Sequence, residues 1–159
     1  MDETGFSGTV AYHFDGDSFI LRSSTIGEEL GMRFIELGIR LAYVDSPERM
    51  QPGGTDSLFF LKRIVTRNSV VRVIPLMQDK YLRIVAMVYK GDDCINLAMV
   101  RAGHAVLFRR YLEECLDAAI FEAAEIEAKT AGLGFWSQEN PIMPWDWRLS
   151  RGSRGYFKV

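Results

Sequence analysis

Between Gly8 and Lys90 the chain is cut into short apolar runs rich in β-branched residues, each ended by a polar or glycine-bearing turn. This spacing constrains the fold more than any other feature. Residues 8–14 (GTVAYHF) and 18–24 (SFILRSS) flank Asp15, Gly16 and Asp17 and read as a hairpin. Residues 32–44 (MRFIELGIRLAYV), 69–76 (SVVRVIPL) and 81–90 (YLRIVAMVYK) give three more strands, and Gly38 inside the third run predicts a bulge or bend. Short, mostly antiparallel strands favour a closed or partly closed barrel. Three helices are expected beside it. The first covers 55–65, capped by Thr55 or Asp56, with the stripe Leu58, Leu61 and Val65. The second covers 95–103 and is closed by Gly103. The third runs from Leu112 to Ala131, with Leu112, Leu116, Ala119, Ile120 and Ala123 on one face. The class is mixed α and β.

A chain of 159 residues supports one hydrophobic core without disulfide staples. Its net charge of −2 means that a polyanionic partner must be met by local positive charge. Cys94 and Cys115 make no disulfide framework and have no metal-ligand spacing with histidine. No apolar run reaches the roughly 18 residues of a membrane span, so no membrane partner is expected. The N-terminal residues MDETGFSG carry no apolar stretch of a signal peptide. The expectation is a cytoplasmic protein as the chain stands, or a secreted one if a leader has been removed.

Three polar clusters fall at strand ends. The first is DGDS, with Asp17; the second is IRLAYVDSPE, with Arg40, Asp45, Ser46 and Glu48; the third is DKYLR, with Lys80, Tyr81 and Arg83. Each alone is an ordinary turn, cap or solvated arginine. Together, Asp17 and Asp45 supply hard oxygen ligands suited to Ca²⁺. Arg40 and Arg83 supply forks that match phosphate oxygens. Glu48 stands close enough in sequence to act on water, and such a set stabilises attack on a phosphodiester. Arg40 and Asp45 have opposite parity, so the loop at Asp45 must re-aim its carboxylate.

The stretches VAYHFDGDSFIL, IRLAYVDSPE, DKYLRIVAMVY, INLAMVRAGHA and AKTAGLGFW, in that order and from about Gly8 to Trp136, resemble the staphylococcal nuclease-like (thermonuclease) family. The resemblance implies a five-stranded OB-fold β-barrel with three helices. It also implies Ca²⁺-dependent hydrolysis of DNA and RNA between phosphorus and the 5′ oxygen, leaving 3′-phosphate ends. Residue by residue, it implies Asp17, Asp45 and the main-chain carbonyl of Ser46 as metal ligands. Glu48 matches the residue that activates water, and Arg40 and Arg83 match the arginines on the phosphate. Lys80 and Tyr81 match contacts to a terminal phosphate, and the resemblance implies a place beside a base for Tyr111. Ser18 and Ser46 are mild departures. Leu82 stands where the family usually has glycine, and residues 23–37 are longer than the usual hairpin turn.

On this reading residues 1–136 form the nuclease domain and 137–159 a tail, partly docked or mobile. Single strands are the favoured substrate, with little sequence preference and no obligate protein partner. The alternatives are a non-catalytic nucleic-acid-binding OB-fold module, or a DNA-maintenance protein of a mobile element in which cleavage is incidental. The presence together of Asp17, Arg40, Asp45, Glu48 and Arg83 favours the enzyme. Phe59, Phe60, Phe121, Phe135 and Trp136 read as core. His13 and His104 read as structural or surface residues, and the charges from Glu113 to Glu127 as a solvated face. Trp145 and Trp147 are expected to dock on the barrel. The arginines beyond them and Lys158 either add phosphate contacts or form a mobile end.

Overall fold

The computed structural model describes residues 5–115 and 117–151. In chain order the elements are β1 (Phe6–His13), β2 (Ser18–Ser23), α1 (Ser24–Glu29), β3 (Ile35–Leu41), β4 (Val44–Asp45), α2 (Gly54–Ile64), β5 (Val70–Gln78), β6 (Ile84–Lys90), β7 (Asp93–Cys94), α3 (Ile95–Arg101), β8 (Val106–Leu107), α4 (Ala118–Thr130) and α5 (Pro144–Ser150). Two 3₁₀ turns, Arg109–Glu114 and Gly134–Ser137, flank α4.

β1 and β2 form the expected hairpin, β3 pairs antiparallel with β2, and β5 and β6 continue the sheet from the other edge of β1. A parallel pairing of β3 with β6, with Ile39 opposite Ile84, closes these five strands into a barrel. Closure removes the unpaired edges that an open sheet would expose. Alternate residues point inward: Phe19 and Leu21 on β2, Ile39 and Leu41 on β3, Val71 and Val73 on β5, and Ala86 and Val88 on β6 are all buried. Leu61, Met99 and Phe121 from the helices join this core. The register shifts lie between Val10 and Tyr12 and between Pro75 and Met77. Gly38 is regularly paired with Ile20, so it does not mark a bulge.

The helices number five rather than three among the described residues. α1 forms within residues 23–37, the stretch longer than the usual hairpin turn; the Ser23 hydroxyl accepts from the Ile26 amide at 3.4 Å as its cap. α2 starts at Gly54 after Gly53, and no side chain caps it, so Thr55 and Asp56 lie inside the helix. The expected 112–131 helix is a 3₁₀ turn followed by α4, and Leu116 lies outside the described residues. A helical phase counted from Leu112 is lost across that change of geometry. The buried face is accordingly Phe121, Ala124, Glu125 and Ala128, and not Ala119, Ile120 and Ala123.

Glu125 corrects the expectation of a solvated charged face. It is 3% exposed and accepts from the Leu107 amide at 2.8 Å, Arg109 Nη2 at 2.8 Å and Lys129 Nζ at 3.1 Å. Phe121 and Phe135 are core, but Phe59 is 61% exposed on the outer side of α2.

His13 is buried, with Nε2 2.7 Å from the Val65 carbonyl oxygen, and His104 stacks on Phe60 with ring centroids 4.5 Å apart. Burial lowers the pKa of both below the usual histidine value of 6.5. The unfolded chain then takes up protons that the folded one refuses, so stability falls as pH drops below the unfolded value, until the folded pKa values are reached. Urea denaturation at about pH 5.5 should show a lower midpoint than at about pH 7.5, and His13→Gln should flatten that difference. An equal dependence in the variant would assign it to other groups.

Candidate active site

Two of the three sequence clusters, DGDS and IRLAYVDSPE, meet at one end of the barrel through strand register. Ser18, the first residue of β2, lies opposite Arg40 near the end of β3, which brings the Asp15–Asp17 turn against Arg40. Asp15 organises that turn, with Oδ1 accepting from Ser18 Oγ at 2.6 Å and from the Asp17 amide at 3.1 Å. Asp17 is 0% exposed, and its Oδ2 lies 2.9 Å from Arg40 Nη1 and 2.8 Å from the Ser46 amide.

The parity conflict at Asp45 is resolved by a change of sheet. After β3 the chain turns at Tyr43, whose φ is 64°, and Val44 and Asp45 pair with Leu107 and Val106 in a separate two-stranded ladder. Asp45 is therefore aimed independently of β3. It is 0% exposed, with Oδ1 3.1 Å from Arg40 Nη2. Asp17 and Asp45 thus meet the two terminal nitrogens of one guanidinium. Arg40 also donates to the Val44 carbonyl at 3.0 Å. Burial opposes the Arg40 charge, but Asp17, Asp45 and Asp15 outweigh it and raise the pKa above the usual arginine value.

Ser46 is buried beside these acids. Glu48 follows in a tight loop, with its amide donating to Gln51 Oε1 at 3.1 Å and its carbonyl accepting from the Gln51 amide at 2.8 Å. A Cβ on Gly54 would collide with the Glu48 carbonyl, so a glycine starts α2 here and lets the loop pack against the helix. Glu48 Oε1 faces a residue absent from the expected set, Arg148 of α5, at 2.9 Å. The same guanidinium forks onto Asp45, with Nη2 to Oδ2 at 2.6 Å and Nη1 to Oδ1 at 3.2 Å. Nothing in the spacing of PWDWR, 103 residues from Asp45, signals this pairing.

Arg83 lies on a neighbouring part of the same surface. Its stem passes over Gly38, where an added Cβ would stand 3.2 Å from Arg83 Cγ. Gly38 and Arg40 share a face of β3, about 7 Å apart along the strand. The Arg83 head is held by Asp79, with Nε and Nη2 at 2.8 and 2.7 Å from Oδ2, while the buried Nη1 has no hydrogen-bond partner among the described residues. Burial works against ionised Asp79, but the Arg83 bonds prevail and lower its pKa. Lys80 Nζ and the Arg83 guanidinium carbon lie 5.0 and 5.5 Å from the exposed Tyr81 ring, so these three form one cluster. The Tyr111 ring lies 6.1 Å from the Phe108 ring, and Phe108 is in turn 6.1 Å from Trp145 of α5.

Leu82 has φ of 63° and is 75% exposed. A branched side chain pays for the left-handed region, and this one recovers little packing. Leu82→Gly should stabilise the protein by about 1 kcal/mol, read from urea denaturation, with no loss of fold. A destabilised variant would show that this turn is not strained.

Within α5 and its approach, Gln51 Nε2 donates to the Ile142 carbonyl at 2.6 Å, Pro144 is buried, and Arg151 lies 4.2 Å above the Trp147 ring. Residues 152–159, including Lys158, lie outside the described residues. Among the described residues no helix is long and apolar enough to cross a membrane, and no group of three or more His, Cys, Asp or Glu side chains is arranged for a metal.

A family model described as staphylococcal nuclease homologue matches residues 38–138, which span Arg40, Asp45, Glu48 and Arg83 but neither Asp17 nor Arg148. An uncharacterized endonuclease of Haemophilus influenzae is 36% identical over 110 residues, 69% of this chain and 59% of that protein. An uncharacterized endonuclease of Escherichia coli is 34% identical over 111 residues, 69% of each chain. A micrococcal nuclease of Shigella flexneri is 33% identical over 152 residues, 90% of this chain and 80% of that protein. The chain thus spans between about three fifths and four fifths of these relatives.

Proposed function

The chain belongs to the staphylococcal nuclease homologue family, and from that premise we propose that it is a Ca²⁺-dependent nuclease. It hydrolyses phosphodiester bonds of DNA and RNA with little sequence preference, favours single strands and leaves 3′-phosphate ends. The observation that carries this reading is the shared guanidinium of Arg40, with a buried carboxylate on each side.

The donor set fits a hard cation. Asp17 and Asp45 offer only oxygen, and Asp15, Asp17, Asp45 and Glu48 outnumber Arg40 and Arg148 at this end of the barrel. A divalent ion offsets that excess, and two carboxylates with the Ser46 carbonyl leave room for water and substrate oxygens. Asp17, Asp45 and the Ser46 carbonyl would hold Ca²⁺, which would supply positive charge to a phosphate oxygen.

The protein's own groups divide the remaining work. Glu48 accepts a proton from water as the water oxygen bonds to phosphorus; the bond from phosphorus to the 5′ oxygen breaks, and that oxygen takes a proton from solvent water to leave as a 5′-hydroxyl strand. Arg83, whose buried Nη1 has no partner among the described residues, turns toward a phosphate oxygen in this reading, and its grip strengthens as negative charge builds there. Arg40 holds the two acids together and adds charge beside the phosphate. Lys80 and Tyr81 reach a neighbouring phosphate, and Tyr111 offers a ring to a base.

The test is digestion of denatured and duplex DNA and of RNA, each with Ca²⁺, with Mg²⁺ and with chelator. Cleavage of denatured strands that requires Ca²⁺ supports the reading. Binding without cleavage in all three conditions would make the chain a binding module.

A further inference from the structure

The geometry points to Arg148 as a positioning residue of the site: its fork fixes the Glu48 carboxylate relative to Asp45, and its charge contends with a divalent cation for Asp45. This deepens the proposed nuclease function and rests on it for its catalytic half.

The contacts are those of a built site. Arg148 engages both oxygens of fully buried Asp45 and bridges to Glu48 through Nη1. A fork of this kind sets distance and angle together, which a lone ammonium cannot do. Glu48 needs such a partner, because it sits in a loop and its reach to water depends on where that loop places it. The delivering helix is anchored independently of the acids, by Trp145 on Phe108, buried Pro144 and the Gln51 bond to Ile142. The Arg148 side chain is nevertheless 42% exposed, so it faces the mouth of the site and can yield to an incoming ion. Arg40 lies deeper and holds Asp17 as well, so the two arginines are not equivalent: one is a buried strut, the other a movable fork.

The experiment compares the full chain with Arg148→Ala and Arg148→Lys. Initial rates on denatured DNA should show kcat lowered about 10- to 100-fold in both variants, with KM little changed. Calorimetric titration with CaCl₂ in the absence of nucleic acid should show about tenfold tighter binding in Arg148→Ala, because a positive charge has left Asp45. Thermal unfolding, close to wild type in both, separates these effects from loss of fold. Full kcat in Arg148→Lys, or a loss confined to KM, would overturn the positioning role. Unchanged calcium affinity in Arg148→Ala would overturn the contest for Asp45. A wild-type chain that cuts nothing would sink the nuclease reading instead, and the calcium titration would still decide whether Arg148 and the cation share Asp45.

Discussion

Glu48→Gln is expected to lower kcat on denatured DNA by about 10²- to 10⁴-fold, the range for loss of a general base. The fold should be untouched. The bonds that hold the loop run through the Glu48 amide and carbonyl to Gln51, and neither changes in the variant. The glutamine oxygen also still accepts from Arg148 Nη1, so the side chain keeps its place. What is lost is the negative charge and with it the capacity to take a proton. Nucleic-acid affinity should stay within a few-fold of wild type or rise slightly, since a negative charge has left the approach to the phosphate. Initial rates paired with equilibrium binding of a labelled single strand separate the two quantities. Cleavage at near wild-type rate would remove Glu48 from the chemistry and leave its loop as scaffolding.

The barrel was legible because its strands alternate and are punctuated by glycine and aspartate turns, and the core residues of β2, β3, β5 and β6 follow that alternation. Features that depend on non-local geometry were not. Asp45 escapes the parity of β3 by pairing with β8, a partner 61 positions away that no local pattern announces. The misplaced face of α4 arose from carrying one helical period through a 3₁₀ turn. Glu125 reads as a surface charge on its helix, and only the packing of Leu107, Arg109 and Lys129 around it makes it a buried acceptor. In the candidate site, Asp17, Arg40 and Asp45 come together because the β1–β2 turn lies against the end of β3 and the loop after it, and Arg148 joins Glu48 to Asp45. Arg148 was invisible: a single arginine in a tryptophan-rich tail says nothing about which acids it will meet.

Arg40→Met should produce the largest loss of stability of any single change in this site, about 3–5 kcal/mol in urea denaturation with chelator present. The methionine fills much of the volume of the arginine stem, so packing is a minor part of the cost. The major part is electrostatic. Asp17 and Asp45 are both 0% exposed and share this one guanidinium, so its removal takes a cation from two buried carboxylates at once. Asp45 retains Arg148, and Asp17 keeps the Ser46 amide. Calcium should therefore rescue the variant more than it stabilises the wild type, because in the variant the ion also replaces the missing strut. At about 100 times its dissociation constant, a ligand specific to the folded state adds about 2.7 kcal/mol, enough to recover most of the loss. Arg40→Lys should fall between, since one ammonium cannot span both acids. A methionine variant as stable as wild type in chelator would show that the two acids do not need Arg40. Equal calcium stabilisation of both proteins would show that the ion binds elsewhere.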